Sequence, residues 1–139
     1  MDNDFSDVSA GYTDLGLPSG TLWGNCNASG FYTYDEAVSQ FGNHVPTKAQ
    51  WNELNAKCQW SWNENRYKVT GPNGNFIVLP AEGHRDVNGY VQFPGENGLY
   101  WSSTPDGPDY AWYFLFNSGG EASRSFNRST GRSVRLVNE

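Results

Sequence analysis

Residues 98–137 read GLYWSSTPDGPDYAWYFLFNSGGEASRSFNRSTGRSVRLV, and the fold turns on how this stretch divides. At its centre, AWYFLF (111–116) has strand alternation: a period of two sends Trp112, Phe114 and Phe116 to one face and Ala111, Tyr113 and Leu115 to the other. The fully aromatic set is the heavier, which assigns it to the core and leaves Tyr113 and Leu115 outside. A strand buried on both faces has the same pattern. LYWSST (99–104) and RSVRLV (132–137) form two more strands, separated from the first by PDGPD (105–109) and by a Gly-, Ser- and Asn-rich connection.

Toward the N-terminus, strands and turns continue to alternate. GYVQF, NFIVLPA, RYKVTGP and QWSW are short strands, and Phe76-Ile-Val-Leu79, apolar throughout and too short for a helix, is expected to be central in its sheet. Ahead of these the periodicity changes. Thr33-Tyr-Asp-Glu36 and Thr47-Lys-Ala-Gln50 have capping-box spacing, in which the hydroxyl and the acid or amide three residues on satisfy orphaned backbone donors. They start helices running from about Tyr34 to Phe41, stopped by Gly42, and from about Lys48 to Cys58. Trp51, Leu54 and Cys58 share one face of the second, which places Trp51 in the core. TDLGLPSGTLWG (13–24) gives two short strands about a Pro-Ser-Gly turn, and residues 1–11 form a polar tail ahead of a single domain over 12–139. Two early helices followed by a string of strands predict an α+β fold rather than alternating α/β.

A chain of 139 residues suffices for one compact domain. Apolar types make up 37% but aromatics 16%, so the core is built from a few large rings, the six Trp among them. The net charge of −6 argues against a nucleic-acid partner, since phosphate binding needs a cationic surface. The charge is uneven, however: Arg124, Arg128, Arg132 and Arg135 crowd the C-terminal end, with Arg135 expected to pair internally with a carboxylate. No stretch approaches transmembrane length and the first residues lack the parts of a signal peptide, so a soluble chain without membrane insertion is expected. Cys26 and Cys58 match no zinc, haem or redox spacing; one disulfide or two buried thiols stay equally open.

Catalytic signals are sparse. A nucleophilic triad needs a histidine beside an activated Ser or Cys, and only His44 and His84 are present. His44, before Val45-Pro46, reads as a structural imidazole; His84 sits in a turn with Asp86 nearby. No carboxylate pair stands out for glycoside hydrolysis. Asp106 and Asp109 lack the alternation and closing Glu of a calcium loop and read as a solvated turn, so neither metal nor cofactor is expected. Asn27-Ala-Ser29 and Asn127-Arg-Ser129 fit a glycosylation pattern that arises often by chance. What remains is 105–132, whose Asp, Tyr, Asn, Ser and Arg resemble the composition of adaptable binding surfaces. Gly/Ser/Asn-rich stretches are also common as plain exposed loops, but this one is framed by apolar strands and held on a rigid base.

The pieces together resemble a known group. LGLPSGTLWGNCN (15–27), VPTKAQWNEL (45–54) with KCQWSW (57–62), YKVTGPNGNFIVLPAEG (67–83), GLYWSST (98–104), AWYFLFNSG (111–119) and GRSVRLV (131–137) are similar, in order and number, to a paralogous domain of Bacteroides and Fibrobacter. That group is similar to the formylglycine-generating-enzyme branch of the C-type lectin fold. It includes retroelement-diversified variable proteins, in which adenine mutagenesis rewrites codons late in the gene over a constant scaffold. The resemblance implies a C-type-lectin-like α+β fold: two short helices on a small twisted, mostly antiparallel sheet with much irregular loop. It implies scaffold roles for Trp101, Ser102, Ser103, Ala111, Trp112, Phe116, Gly119, Arg128, Gly131, Ser133, Val134 and Arg135. Displayed, ligand-binding positions are then Asp106, Asp109, Tyr110, Tyr113, Leu115, Gly120, Arg124, Phe126, Ser129, Thr130 and Arg132. None of these is Trp, Gln, Lys, Glu or Met, the types that adenine replacement in an AAC codon does not reach. The insertion many relatives carry after the WGNCN-like motif is missing, and the catalytic cysteines of the formylglycine-generating relatives have no counterpart, so enzyme activity is not carried over.

The resulting expectation is a non-catalytic, monomeric receptor-binding or adhesin domain on a bacterial surface or phage tail, taking a protein or glycan ligand. Tyr110, Tyr113 and Phe126 are its anchors, with Arg124 and Arg132 as charged partners at the rim. The alternatives are a structural subunit of a pilus or cell-surface assembly, and a hydrolase or oxidase working through His84 with Asp86 or a cysteine.

Overall fold

In the computed structural model, which describes residues 11–139, both capping boxes form. Thr33 Oγ1 accepts the Glu36 amide while the Glu36 carboxylate accepts the Thr33 amide, and Thr47 and Gln50 repeat the exchange. They start helices α1 (Tyr34–Phe41) and α2 (Lys48–Lys57), linked by a 3-10 turn at Gly42–His44. Helix α1 buries Tyr34, Ala37 and Phe41, and α2 buries Trp51 and Leu54. The tail assigned to residues 1–11 lies, Gly11 apart, outside the described residues.

Strands dominate the rest. They are β1 (Tyr12–Asp14), β2 (Leu22–Asn27), β3 (Gln59–Asn63), β4 (Arg66–Thr70), β5 (Phe76–Pro80), β6 (His84–Arg85), β7 (Val91–Gln92), β8 (Gly98–Asp106), β9 (Tyr110–Asn117), β10 (Gly120–Asn127) and β11 (Arg135–Asn138). Among the described residues they form three three-stranded antiparallel sheets, ordered β1-β2-β11, β3-β4-β5 and β10-β9-β8, and the β6–β7 hairpin. This corrects the α+β, C-type-lectin-like expectation: the architecture is β-rich and sandwich-like, with four small sheets and two short helices. The helices are too short to make a layer of their own, and the 117–130 stretch taken for loop is largely strand.

Strand β10 was hidden because its residues do not alternate in polarity. Glu121, Ser123 and Ser125 stand on the side of Phe116, Phe114 and Trp112; Ala122, Arg124 and Phe126 stand on the side of Leu115, Tyr113 and Ala111. Its strand character comes from its partner and from the turn. Ser118-Gly119 makes a two-residue hairpin loop, with Asn117 Oδ1 accepting the Gly119 amide at 2.8 Å. Position of β5 is a second correction: it lies at the edge of its sheet and β4 is central. Its Val78 carbonyl instead accepts from Arg135 of the neighbouring sheet.

The core has two parts, one on each side of the β8–β9–β10 sheet. On one side Trp51 stacks on Phe114 with ring centroids 4.7–5.6 Å from Trp23, Phe114 and Tyr100, and Phe116, Tyr67 and Trp60 extend the cluster. Such aromatic pairs each add about 0.5–1.5 kcal/mol beyond burial. Gly98 is obligatory here, since a Cβ would stand 2.1 Å from the Phe116 ring. On the other side Trp101 and Ala111 pack with Val134, Leu136, Tyr34, Ala37, Phe41 and Val45. Strand β9 is therefore covered on both faces along part of its length, and Trp112, assigned to the core, is only half-buried beneath the Lys48 ammonium at 3.5 Å. Arg135 is buried and satisfied as expected of an internal residue, but by carbonyls and an amide: Gly24 O, Val78 O and Asn27 Oδ1 at 2.7–2.9 Å.

Candidate ligand-binding face

Pairing of β9 with β10 sets Tyr113 opposite Arg124, Leu115 opposite Ala122 and Ala111 opposite Phe126, all on one side of the sheet. Arg124 and Phe126 are exposed there, with Tyr113 and Leu115 half-buried. Tyr110, also exposed, brings its ring to 6.3 Å from that of Phe126. Tyr113, Leu115, Arg124 and Phe126 thus share one side of a hairpin held by the aromatic core beneath it, and Tyr110, at the strand end, joins them through the Phe126 ring. A shallow depression at the Gly120 end is lined by Leu115, Gly120 and Arg124.

Asp106, Asp109 and Ser129 gather elsewhere, around the loop between β8 and β9. Asp106 accepts from Ser125 Oγ, the Asp109 carbonyl accepts the Arg128 amide, and Ser129 Oγ donates to Asn127 Oδ1 at 2.6 Å. Asp109 and Ser129 line a second depression with Thr33, Asp35 and Arg128. Arg128 fastens this loop: it donates to the carbonyls of Gly107 and Tyr110 at 2.7 and 3.0 Å and lies over the Tyr34 ring, 4.0 Å from Asp35.

Thr130 and Arg132, expected on display, are buried. Thr130 turns under the hairpin toward the Asn127 carbonyl at 3.5 Å, where the chain bends back into the sheet. Arg132 is only 2% exposed, and its amide and carbonyl bond Tyr32 at 2.8 and 2.9 Å. Its guanidinium sits 3.9 Å from the Tyr113 ring, 4.9 Å from Trp101 and 5.6 Å from Phe126. Nε and Nη1 have no hydrogen-bond partner, and no carboxylate pairs with the group among the described residues. Burial pushes the guanidinium down to about 10.

His84, expected in a turn, lies in β6 and is half-buried, with its Nδ1 unpartnered. Burial first, then the Arg132 charge, hold the imidazole below its ordinary range against the opposing pull of Asp86. Asp86 spends its carboxylate on the β6–β7 turn, accepting from the amides of Asn88 and Tyr90 and from Gln92 Nε2 at 2.9–3.0 Å. His44 Nδ1 meets the Val137 carbonyl at 2.9 Å, as a structural imidazole does. No disulfide joins Cys26 to Cys58; the Cys58 thiol is pushed up to about 11, by burial and then by Glu53. Among the described residues no group of three or more His, Cys, Asp or Glu is placed to hold a metal, and no helix is long and apolar enough to cross a membrane.

One feature escaped sequence reasoning. The β6–β7 hairpin exposes Val87, Tyr90, Val91 and Phe93 within seven residues. The signal was present in Val87-Asn-Gly-Tyr-Val91, a turn dipeptide flanked by apolar residues on a strand pair too short to bury them.

A family model described as Domain of unknown function (DUF8237) matches residues 56–137, from the end of α2 through β11. No curated protein and no solved structure matches the chain.

Proposed function

We propose that this chain, which belongs to the DUF8237 family, is a non-catalytic ligand-binding domain of receptor-binding or adhesin type, with the β9–β10 hairpin as its recognition face. The observation that carries the proposal is the patch of Tyr110, Tyr113, Leu115, Arg124 and Phe126 on one rigid hairpin. Aromatic rings give large contact area with little entropy to lose, arginine adds charge and directed donors, and tyrosine and arginine are among the residues that dominate binding energy where such surfaces are known. A hairpin fixed by a stacked aromatic core changes its outer side chains without disturbing the fold, which also suits the retroelement diversification suggested by the sequence resemblance. Display on a cell surface or phage particle follows from the same resemblance.

The experiment is a binding screen of the fluorescently labelled domain on glycan arrays and on intact bacterial cells, run beside the triple variant Tyr110→Ala, Arg124→Ala, Phe126→Ala. Saturable binding that the variant loses, with its thermal midpoint unchanged within a few degrees, is the expected result. Equal binding by the variant would place recognition elsewhere.

A further inference from the structure

We propose that the recognition face continues across the β6–β7 hairpin, and that the combined surface docks a protein partner presenting a carboxylate to Arg132. This rests on the binding reading above and names its partner.

The two hairpins are joined through fixed groups. Reciprocal hydrogen bonds of 2.8 Å tie Arg85 of β6 to Gly131, the residue before Arg132. The His84 ring lies 6.5 Å from that of Phe93 and senses the Arg132 charge, while Arg132 itself reaches Tyr113 and Phe126. Tyr110 meets Phe126 and Phe126 meets Arg132, and the Arg85–Gly131 bonds seat the β6–β7 hairpin, with its His84–Phe93 ring pair, against the backbone that leads into Arg132.

The chemistry of this surface selects its occupant. Val87 is 70% exposed and Tyr90 68%, on a turn that Asp86 holds in one shape. Aliphatic tips such as Val87, Val91 and Leu115 offer nothing to sugar hydroxyls but gain by meeting apolar side chains, which favours a protein surface over a glycan. Between the hairpins lies a desolvated cation with two N–H groups unmatched and no carboxylate of its own, and strand β6 carries a second buried nitrogen without a partner, His84 Nδ1. Buried charges in finished structures are paired. The Phe126 ring, itself exposed, is the side of the aromatic cage that can swing aside to admit an Asp or Glu side chain. Charge complementarity agrees: Asp86 is committed to its own turn and Glu36 to its helix cap, which leaves the Arg132 guanidinium as the charge that a partner's carboxylate complements.

Two measurements on the intact domain test this. In the first, peptides are selected from a random-peptide display library on the wild-type domain. They are then rebound to Val87→Ser, Tyr90→Ser, Val91→Ser and, separately, to Tyr110→Ala, Arg124→Ala, Phe126→Ala. Enriched peptides carrying an acidic residue beside apolar ones, weakened at least tenfold by both variants, are expected. Loss only in the second variant overturns the two-hairpin surface and leaves the proposed function standing; enrichment of no peptide together with binding to acidic glycans overturns the protein partner. Failure of every peptide, glycan and cell to bind sinks the function reading as well. In the second, the Arg132 Nε–Hε resonance is followed while N-acetylglutamate amide, or its neutral glutamine counterpart, is added at constant ionic strength. A saturable shift with the carboxylate alone is expected, and no shift or equal shifts overturn the carboxylate site without relying on a variant of a buried residue.

Discussion

Replacing Arg132 with Met is expected to stabilise the domain while impairing binding. The side chain is buried, and its guanidinium is held at about 10 by desolvation. At about 1.4 kcal/mol per pH unit, keeping that charge in the folded state costs on the order of 3 kcal/mol. The three rings around it return about 1–2 kcal/mol through cation–π contact. Methionine fills similar space, keeps the apolar stem and leaves no donor unmatched. The balance is a gain of about 1–2 kcal/mol, in line with replacements of buried ionic groups by well-packed apolar ones. For a chain of this length that is a rise of about 3–7 °C in thermal midpoint. Urea unfolding followed by tryptophan fluorescence, with calorimetry alongside, reads both quantities. A loss of about 2 kcal/mol or more would refute the reasoning, because it would mean that the cation holds the fold together rather than being retained at its expense.

Other outcomes follow from the same geometry. Burial and Arg132 hold His84 below its ordinary range, so the unfolded chain takes up that proton first as pH falls; stability should decline below the ordinary imidazole range, and less steeply in Arg132→Met, as pH-dependent urea midpoints will show. Gly98→Ala drives a Cβ into the Phe116 ring and should cost about 3 kcal/mol or more by urea unfolding. Thr33→Ala and Thr47→Ala each remove a capping box and should cost about 1 kcal/mol, additively, by the same assay. Cys26, the more exposed of the two, should alkylate before Cys58, whose half-buried thiol keeps its proton up to about 11; mass spectrometry after timed iodoacetamide treatment distinguishes them.

The elements legible in the sequence were those specified locally. Capping boxes placed α1 and α2 to within a residue, because side-chain caps act on the adjacent turn. AWYFLF declared β9 through its own alternation. Strand β10 did not, because Glu121, Ser123 and Ser125 carry no apolar signal and only pairing with β9 makes them a strand. The α+β expectation came from giving the two helices the weight of a layer, which elements as short as Tyr34–Phe41 and Lys48–Lys57 do not make. For the binding face, periodicity correctly set Tyr113 and Leu115 on the side away from Phe114 and Phe116. Depth was beyond its reach: whether Arg132 is displayed or caged depends on Tyr32, Trp101 and Tyr113, brought to it from distant parts of the chain.

The most direct measurement is an amide-resolved chemical-shift map of the domain with a selected peptide or glycan bound. Perturbations concentrated on 110–126 and the neighbouring 84–93 hairpin are the expected result. A footprint on the far side of the core, around Trp62, Asn65 and Phe76, with β9 and β10 untouched, would contradict it.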